Sequence, residues 1–288
     1  MSVNGHIFRK PMRRTLLIFP LLLLCHCARV PDAAITRPEP TTTSPSTSPA
    51  LATTPARPST PLESARVTRS TINGITFEGI AFDSRSHRLV VADQAGGPGS
   101  QFPDAASAAR SMAGLAAANA GFFTPAGAPL GLVVSAGKRS GSWNSSSSLG
   151  SGVWYENSSG FPAISRREAL GKPAASTMRE LIQAGPMLIA NQRPVSGLDP
   201  AKHSVRTLML WDGGTRWWLG QSSSCSLAGL GSALSSGQPS GWPVSQALNL
   251  DGGRSSDLWI SGNVEGGPVL KRAIWNRPVR NFLVLTPR

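Results

Sequence analysis

A chain of 288 residues that is 40% hydrophobic and only 15% charged has the make-up of a folded globular protein, and its 30 glycines and 24 prolines favour strands and turns over long helices. Its 28 Lys+Arg against 15 Asp+Glu give a net charge of +13. Such a surface attracts polyanions through a long-range, salt-sensitive field. The absence of any Lys/Arg run or recognition-helix pattern argues against nucleic acid as the partner.

The chain opens with a basic stretch, Arg9, Lys10, Arg13 and Arg14, followed by the apolar run TLLIFPLLLL at 15–24. The run is too short to span a bilayer comfortably and carries Pro20, so it reads as an export signal over residues 1–27. The leader holds those four cations and no acid, and removing them from +13 leaves +9 on the mature chain. Cys25 and Cys27 follow the leucines directly, which suits a lipidated N-terminal Cys. The residues before them, Leu24 and His26, are larger than a lipoprotein signal prefers, so plain cleavage near Ala28 or Ala34 is the competing reading. The expected location is therefore the periplasm or the membrane surface of a bacterial cell envelope. Residues 37–62, RPEPTTTSPSTSPALATTPARPSTPL, offer almost nothing large to bury, so the linker over 28–63 is expected to be a disordered spacer. One folded domain over 64–288 is expected to follow.

Within that domain, residues 75–82 (ITFEGIAF) and 87–93 (HRLVVAD) read as strands joined into a hairpin by the polar turn 83–86. A helix is expected from the capping Asp104 to near Gly114 or Leu115, then a strand carrying Asn119. Further strands are predicted at 130–137, 186–191, 206–212, 215–221, 246–250, 257–261 and 281–286, with a short helix after Ser226. Strands dominate and helices are few, so the expected class is α+β, a single domain on mixed or antiparallel sheet. Cys225 is the one cysteine of the domain. No internal disulfide is then possible, and a buried small apolar role fits it better than nucleophilic work.

The strongest local feature is ALNLDGGRSS at 247–256. An apolar strand ends in a carboxylate, Asp251, and breaks into Gly252 and Gly253, then Arg254, Ser255 and Ser256. Glycines there let backbone approach a ligand closely and turn successive N–H groups into an anion-binding concavity. The same letters also suit a hairpin turn, so the other segments decide the matter. They are Asn119-Ala120-Gly121-Phe122-Phe123, then Gly131 and Gly137, then Gln183-Ala184-Gly185-Pro186, then Arg206-Thr207.

Those five blocks, in that order and at those separations, resemble the phosphodiester glycosidase family. Its pattern reads N-x-G-F/Y-F, a G-x-x-x-x-x-G strand, G-P, an R-T strand and N-L-D-G-G-x-S-S. The likeness runs from about residue 75 to 285. Arg254 departs from it, standing where the family commonly has a third glycine; it either narrows the pocket or supplies a phosphate-binding guanidinium. The resemblance implies hydrolysis of the bond between an anomeric carbon and a phosphodiester oxygen, on a sugar phosphate or envelope glycan of the N-acetylglucosamine 1-phosphate type. Asp251 is then the catalytic carboxylate and Arg206 the phosphate clamp, with Asn119, Gly252, Gly253, Arg254, Ser255 and Ser256 contacting substrate. Glu78 and Asp257 are weaker candidates for a second carboxylate, Glu78 being expected to face solvent.

Counting weakens other chemistries. The histidines are His6, His26, His87 and His203, none in a nucleophile-type motif. One domain cysteine and no H-x-x-x-H spacing supply no zinc site. No cofactor is indicated by the sequence, and a calcium or magnesium ion on Asp251 and carbonyl oxygens is compatible with it, since oxygen-only sites leave little trace. Of eight tryptophans, those on predicted strands are expected in the core. The alternative from a different class is a noncatalytic envelope module that binds a glycan or anionic polymer, with Arg254 blocking turnover.

Overall fold

A computed structural model describes residues 63–288; the expected signal and nearly all of the expected spacer lie outside the described residues. The chain begins with strands β1 (Arg66–Ile72), β2 (Ile75–Asp83) and β3 (His87–Asp93), helix α1 (Ala105–Ser111) and β4 (Ala116–Asn119). The middle holds β5 (Val133–Ser135), β6 (Lys138–Ser140), β7 (Gly152–Glu156), β8 (Pro162–Arg166), α2 (Arg167–Ala175), β9 (Glu180–Ala184), β10 (Met187–Ala190) and β11 (Arg193–Pro194). Then come β12 (Ser204–Trp211), β13 (Arg216–Cys225), α3 (Leu227–Ser236), β14 (Gln246–Asn249), β15 (Asp257–Ile260), β16 (Val269–Arg272) and β17 (Asn281–Pro287).

The strands form three sheets. One has seven strands in the order β1-β2-β13-β12-β14-β10-β11; the others have five each, β16-β15-β4-β17-β3 and β6-β5-β9-β7-β8. The strand pairings are antiparallel throughout, and with three short helices the class is α+β.

All three sheets give residues to one core. Ile80, Met209 and Leu248 come from the first, Val91, Ala118 and Leu283 from the second, and Val133, Trp154 and Ile182 from the third. α3 covers the other face of the seven-stranded sheet through Leu230 and Leu234 against Leu208, Leu210 and Trp218. α1 lays its alanines on Phe282 and Val284 of β17. Asp104 caps α1, its side chain accepting from Ser107 N (2.8 Å). The helix stops at Ser111, short of Gly114, because Ala113 takes φ +50° and the chain turns there to enter β4.

The expected hairpin of β2 with β3 is not formed. β2 has both edges occupied, by β1 and by β13, so no ladder is left for β3, which pairs with β17 in the second sheet. The turn 83–86 instead passes the chain between sheets, held by the Asp83 carboxylate accepting from Arg85 N (2.8 Å). The hairpin that does form joins β1 to β2 at Asn73-Gly74, both with positive φ (49° and 74°), the dipeptide that suits a two-residue turn.

One aromatic fixes how closely β1, β2 and β13 lie. The Trp218 indole donates Nε1 to Thr68 Oγ1 (2.8 Å) and crosses Gly79 and Gly220. A Cβ at Gly79 would lie 2.6 Å from the Trp218 ring and 2.5 Å from Leu219 O. Gly79→Ala is expected to lower the unfolding free energy by about 1–3 kcal/mol, measured by urea denaturation of the full chain. A change within about 0.5 kcal/mol, the size of an ordinary surface substitution, would refute this packing.

Candidate active site

β4 ends at Asn119, a fully buried side chain that joins separate parts of the chain. Its Oδ1 accepts from Thr207 Oγ1 on β12 (2.7 Å) and from Asp257 N at the start of β15 (2.9 Å). Its Nδ2 donates to Asp251 O (2.6 Å). Backbone bonds add to the clamp, Asp251 N to Ala120 O (2.9 Å) and Leu250 N to Thr207 O (2.8 Å). The carboxylate-bearing turn after β14 is thus fixed from two sheets at once.

The turn lies flat against β12. A Cβ at Gly252 would meet Val205 O at 2.6 Å, and one at Gly253, whose φ is +60°, would meet Ser204 Oγ at 2.9 Å. Gly252 is therefore demanded by close backbone approach and Gly253 by its positive φ.

The Asp251 side chain is nearly buried. Oδ1 accepts from Gly252 N (2.9 Å), while Oδ2 is buried and has no hydrogen-bond partner among the described residues. Burial pushes this carboxyl above the usual aspartate range, and the Ser255 hydroxyl, the Arg277 charge and the Gly252 amide pull it part of the way back. The Arg277 guanidinium stands 3.9 Å from Oδ2. It is held there by Nε donating to Ser255 Oγ (3.2 Å) and by lying 4.7 Å over the Phe123 ring. A carboxyl with raised proton affinity beside an accessible cation is equipped to move a proton next to an anion.

The residues singled out in the sequence separate here. Asp251, Gly252, Gly253, Ser255 and the amide of Asn119 come together. Asn119 is engaged by protein partners on both ends of its amide. Ser256 and Arg254 belong to the same turn and bond the 275–276 segment, Ser256 through its carbonyl alone, since its hydroxyl donates to Val205 O (3.5 Å). Arg254 Nε donates to Trp275 O (3.2 Å), and Ser256 O accepts from Asn276 Nδ2.

Arg206 is not brought to Asp251. Its guanidinium donates to Lys202 O (2.6 Å) and Cys225 O (3.3 Å). Neighbouring residues of a strand project to opposite faces, so with Thr207 turned to Asn119, Arg206 turns away. Asp257 is fully buried and accepts from Ala105 N at the start of α1 (3.0 Å) and from Arg272. Glu78, expected to face solvent, is largely covered and ion-paired to Lys271 (2.6 Å) and Arg69 (2.7 Å).

Sequence reasoning missed Thr207 and Arg277. Arg277 lies outside all five blocks, and its only local sign is a polar, Pro-containing stretch before the last strand. Among the described residues no three His, Cys, Asp or Glu side chains gather to hold a metal.

The five blocks form one connected structure. Gly131 packs on Gln183, where a Cβ would come within 2.7 Å of Gln183 O, and Gln183 Oε1 accepts from Leu132 N (3.1 Å). Asn249 Nδ2 donates to Gly185 O (2.9 Å), and Asn249 N to Pro186 O (3.1 Å). Asn119 then ties that unit to β12.

A sequence profile described as phosphodiester glycosidase matches residues 113–286. No curated protein sequence matches the chain. Among solved structures, the chain is similar to the catalytic domain of zebrafish N-acetylglucosamine-1-phosphodiester alpha-N-acetylglucosaminidase in a form auto-inhibited by its pro-peptide. That likeness has a TM-score of 0.54 at 18% identity and covers 81% of this chain and 86% of that one. A hypothetical protein from Synechocystis matches with a TM-score of 0.54 at 17% identity, over 80% of this chain and 64% of that one. A Burkholderia pseudomallei protein described as exported matches with a TM-score of 0.50 at 14% identity, over 74% of each chain. At such identities the likeness to these structures is one of fold.

Asn119→Ala would leave the Thr207 hydroxyl, the Asp257 N–H and the Asp251 carbonyl without their buried partner. The expected loss of stability is about 2–5 kcal/mol, measured by chemical denaturation. Thr207→Val removes one of those bonds and is expected to cost about 1–2 kcal/mol. Equal, near-zero effects for both would show that the amide holds nothing in place.

Proposed function

The chain belongs to the phosphodiester glycosidase family, and from that premise we propose that it is an exported hydrolase of a bacterial cell envelope. Its reaction is cleavage of the glycosidic bond of a sugar 1-phosphodiester of the N-acetylglucosamine 1-phosphate type. The observation that carries this reading is Asp251 Oδ2, buried and unpartnered, with the Arg277 guanidinium 3.9 Å away. Export rests on the leader at residues 9–24.

Arg277 binds the phosphate, the role expected of Arg206. Its guanidinium is half exposed and presents a planar donor edge that fits phosphate oxygens. Asp251, its Oδ1 fixed by the Gly252 amide, takes the proton of a water whose oxygen attacks the anomeric carbon. The bond from that carbon to the phosphate oxygen breaks and its electron pair leaves with the phosphate, now a monoester anion stabilised by Arg277.

Glycosidases normally use two carboxyl groups, one to protonate the departing oxygen. A phosphate monoester is a far weaker base than an alkoxide and departs without that proton. One carboxylate then suffices, which fits the engagement of Asp257 with Arg272 and Ala105 and of Glu78 with Lys271 and Arg69. Attack by water in a single displacement inverts the anomeric centre.

Asp251→Asn is expected to reduce release of free sugar from an N-acetylglucosamine 1-(methyl phosphate) diester by about 10²–10⁴-fold, with an unchanged far-UV circular dichroism spectrum. Undiminished release would remove Asp251 from the reaction. Binding without turnover by the parent protein would favour the noncatalytic module, and a retained anomeric configuration in the product would make Asp251 a nucleophile.

The pH profile tests the same assignment. Asp251 works as the carboxylate, so the rate falls as pH drops through its pKa, which burial places above that of an ordinary aspartate. Arg277→Gln removes a charge that lowers that pKa, so the acid limb is expected to move to higher pH while KM rises. A limb that stays in place would show that the rate does not report Asp251.

A further inference from the structure

Across the 252–256 turn from Asp251 lies a groove that the proposed reaction does not use. It consists of two adjoining cavities of about 220 Å³ each, which share Val205, Gln221 and Lys271 as lining residues. One extends along the seven-stranded sheet to Thr76 and Glu78, the other to Gly253, Ser256 and Trp275.

Three features point to an occupant. First, Gln221 is only 7% exposed, and its Nε2 has no hydrogen-bond partner among the described residues. A buried amide left unpaired is costly, and a ligand acceptor in the groove would relieve that cost.

Second, Trp275 is 66% exposed, whereas Trp154, Trp217, Trp218 and Trp242 are buried. Its backbone is nonetheless fixed. Arg254 Nε donates to Trp275 O (3.2 Å), Arg277 N donates to Arg254 O (2.9 Å), and Asn276 Nδ2 bonds Ser256 O. An indole presented on a stitched loop is a ready stacking face.

Third, both cations of the groove are already engaged by protein carboxylates, Lys271 by Glu78 (2.6 Å), which Arg69 shares (2.7 Å), and Arg272 by Asp257. That favours an uncharged ligand over an anionic polymer or lipid surface.

We propose that this groove is a saccharide subsite, taking a neutral acetamido sugar unit whose ring stacks on Trp275 and whose acyl or hydroxyl oxygen accepts from the Gln221 amide. Arg254, which stands where the family pattern has glycine, is then a positioning residue for Trp275. The choice of a carbohydrate rests on the function proposed above; the cavities, the unpaired amide and the exposed indole do not.

The test is calorimetric titration of the full chain with N,N′,N″-triacetylchitotriose, read without turnover. A failed hydrolase assay therefore leaves this test standing, and absent binding leaves the hydrolase reading untouched. The expected result is binding that Trp275→Ala weakens by about tenfold and Gln221→Leu by about five- to tenfold. Arg254→Gly is expected to weaken it severalfold. Trp275 is exposed, so its truncation does not threaten the fold, and circular dichroism checks the buried Gln221 variant. No heat at millimolar chitotriose, or binding indifferent to Trp275→Ala, overturns the proposal. So does Trp275-dependent binding to phosphatidylglycerol vesicles without any to the sugar, which would make the exposed Ile274 and Trp275 a membrane contact.

Discussion

The position of Asp251 depends on one buried amide. Asn119 receives a hydroxyl from the seven-stranded sheet and a backbone N–H from β15, and gives its own N–H to the carbonyl of Asp251. The two ends of the group are not interchangeable. A carboxylate of the same shape would set an acceptor against the Asp251 carbonyl at a fully buried position. The geometry of a turn at residue 251 is thus decided 132 positions earlier in the chain, and local sequence around Asp251 is not sufficient to build it. The same logic extends outward through Asn249, which anchors β14 to Gly185, and Gln183, which accepts from the backbone at Leu132.

Two aspartates six residues apart divide the work that this frame allows. Asp257 is sealed in, accepting from the first turn of α1 and from Arg272, so it ties a helix and the β15–β16 pair to the far end of the turn. Burial pushes its carboxyl upward as it does that of Asp251. A raised pKa therefore does not distinguish the two; what does is that Asp251 has an exposed cation beside it and Asp257 has none to spare. A charged partner already committed to a buried pair contributes to the frame rather than to an incoming anion.

Most strands were legible from their own alternation and β-branched or aromatic content, and β3 begins and ends where that pattern does. Pairing was not. The turn at 83–86 looks like a hairpin because its letters are polar, yet β2 is already flanked on both edges, on one of them by β13, which lies more than a hundred positions away. Asn73-Gly74 was the better hairpin signal and leads back to β1, whose mixed polar composition concealed it. The five blocks do come together, because each contributes a hydrogen bond or a close backbone contact to the same frame. Which side chain within a block faces the site was hidden. A register shift between Ser204 and Arg206 and simple alternation decide that Thr207, not Arg206, meets Asn119. Arg277 was invisible for a different reason: its place is set by the ring of Phe123 and the hydroxyl of Ser255, neither near it in sequence.

The separation of Asp251 from Arg277 is itself informative when set beside another Asp–Arg pair in the same protein. Arg280 closes on Asp93 with two bonds of 2.8 and 2.9 Å, so both partners are saturated and the pair fastens β17 to β3. Had Arg277 closed on Asp251 in this way, the carboxyl would be held ionised and the guanidinium would have no free edge for a phosphate. The Phe123 face and Ser255 hold it at 3.9 Å instead. At that distance the charge still tempers the rise in the Asp251 pKa while both groups keep unused hydrogen-bonding capacity. The ion pair is left open, and the aromatic ring together with the Ser255 hydroxyl is what keeps it from closing.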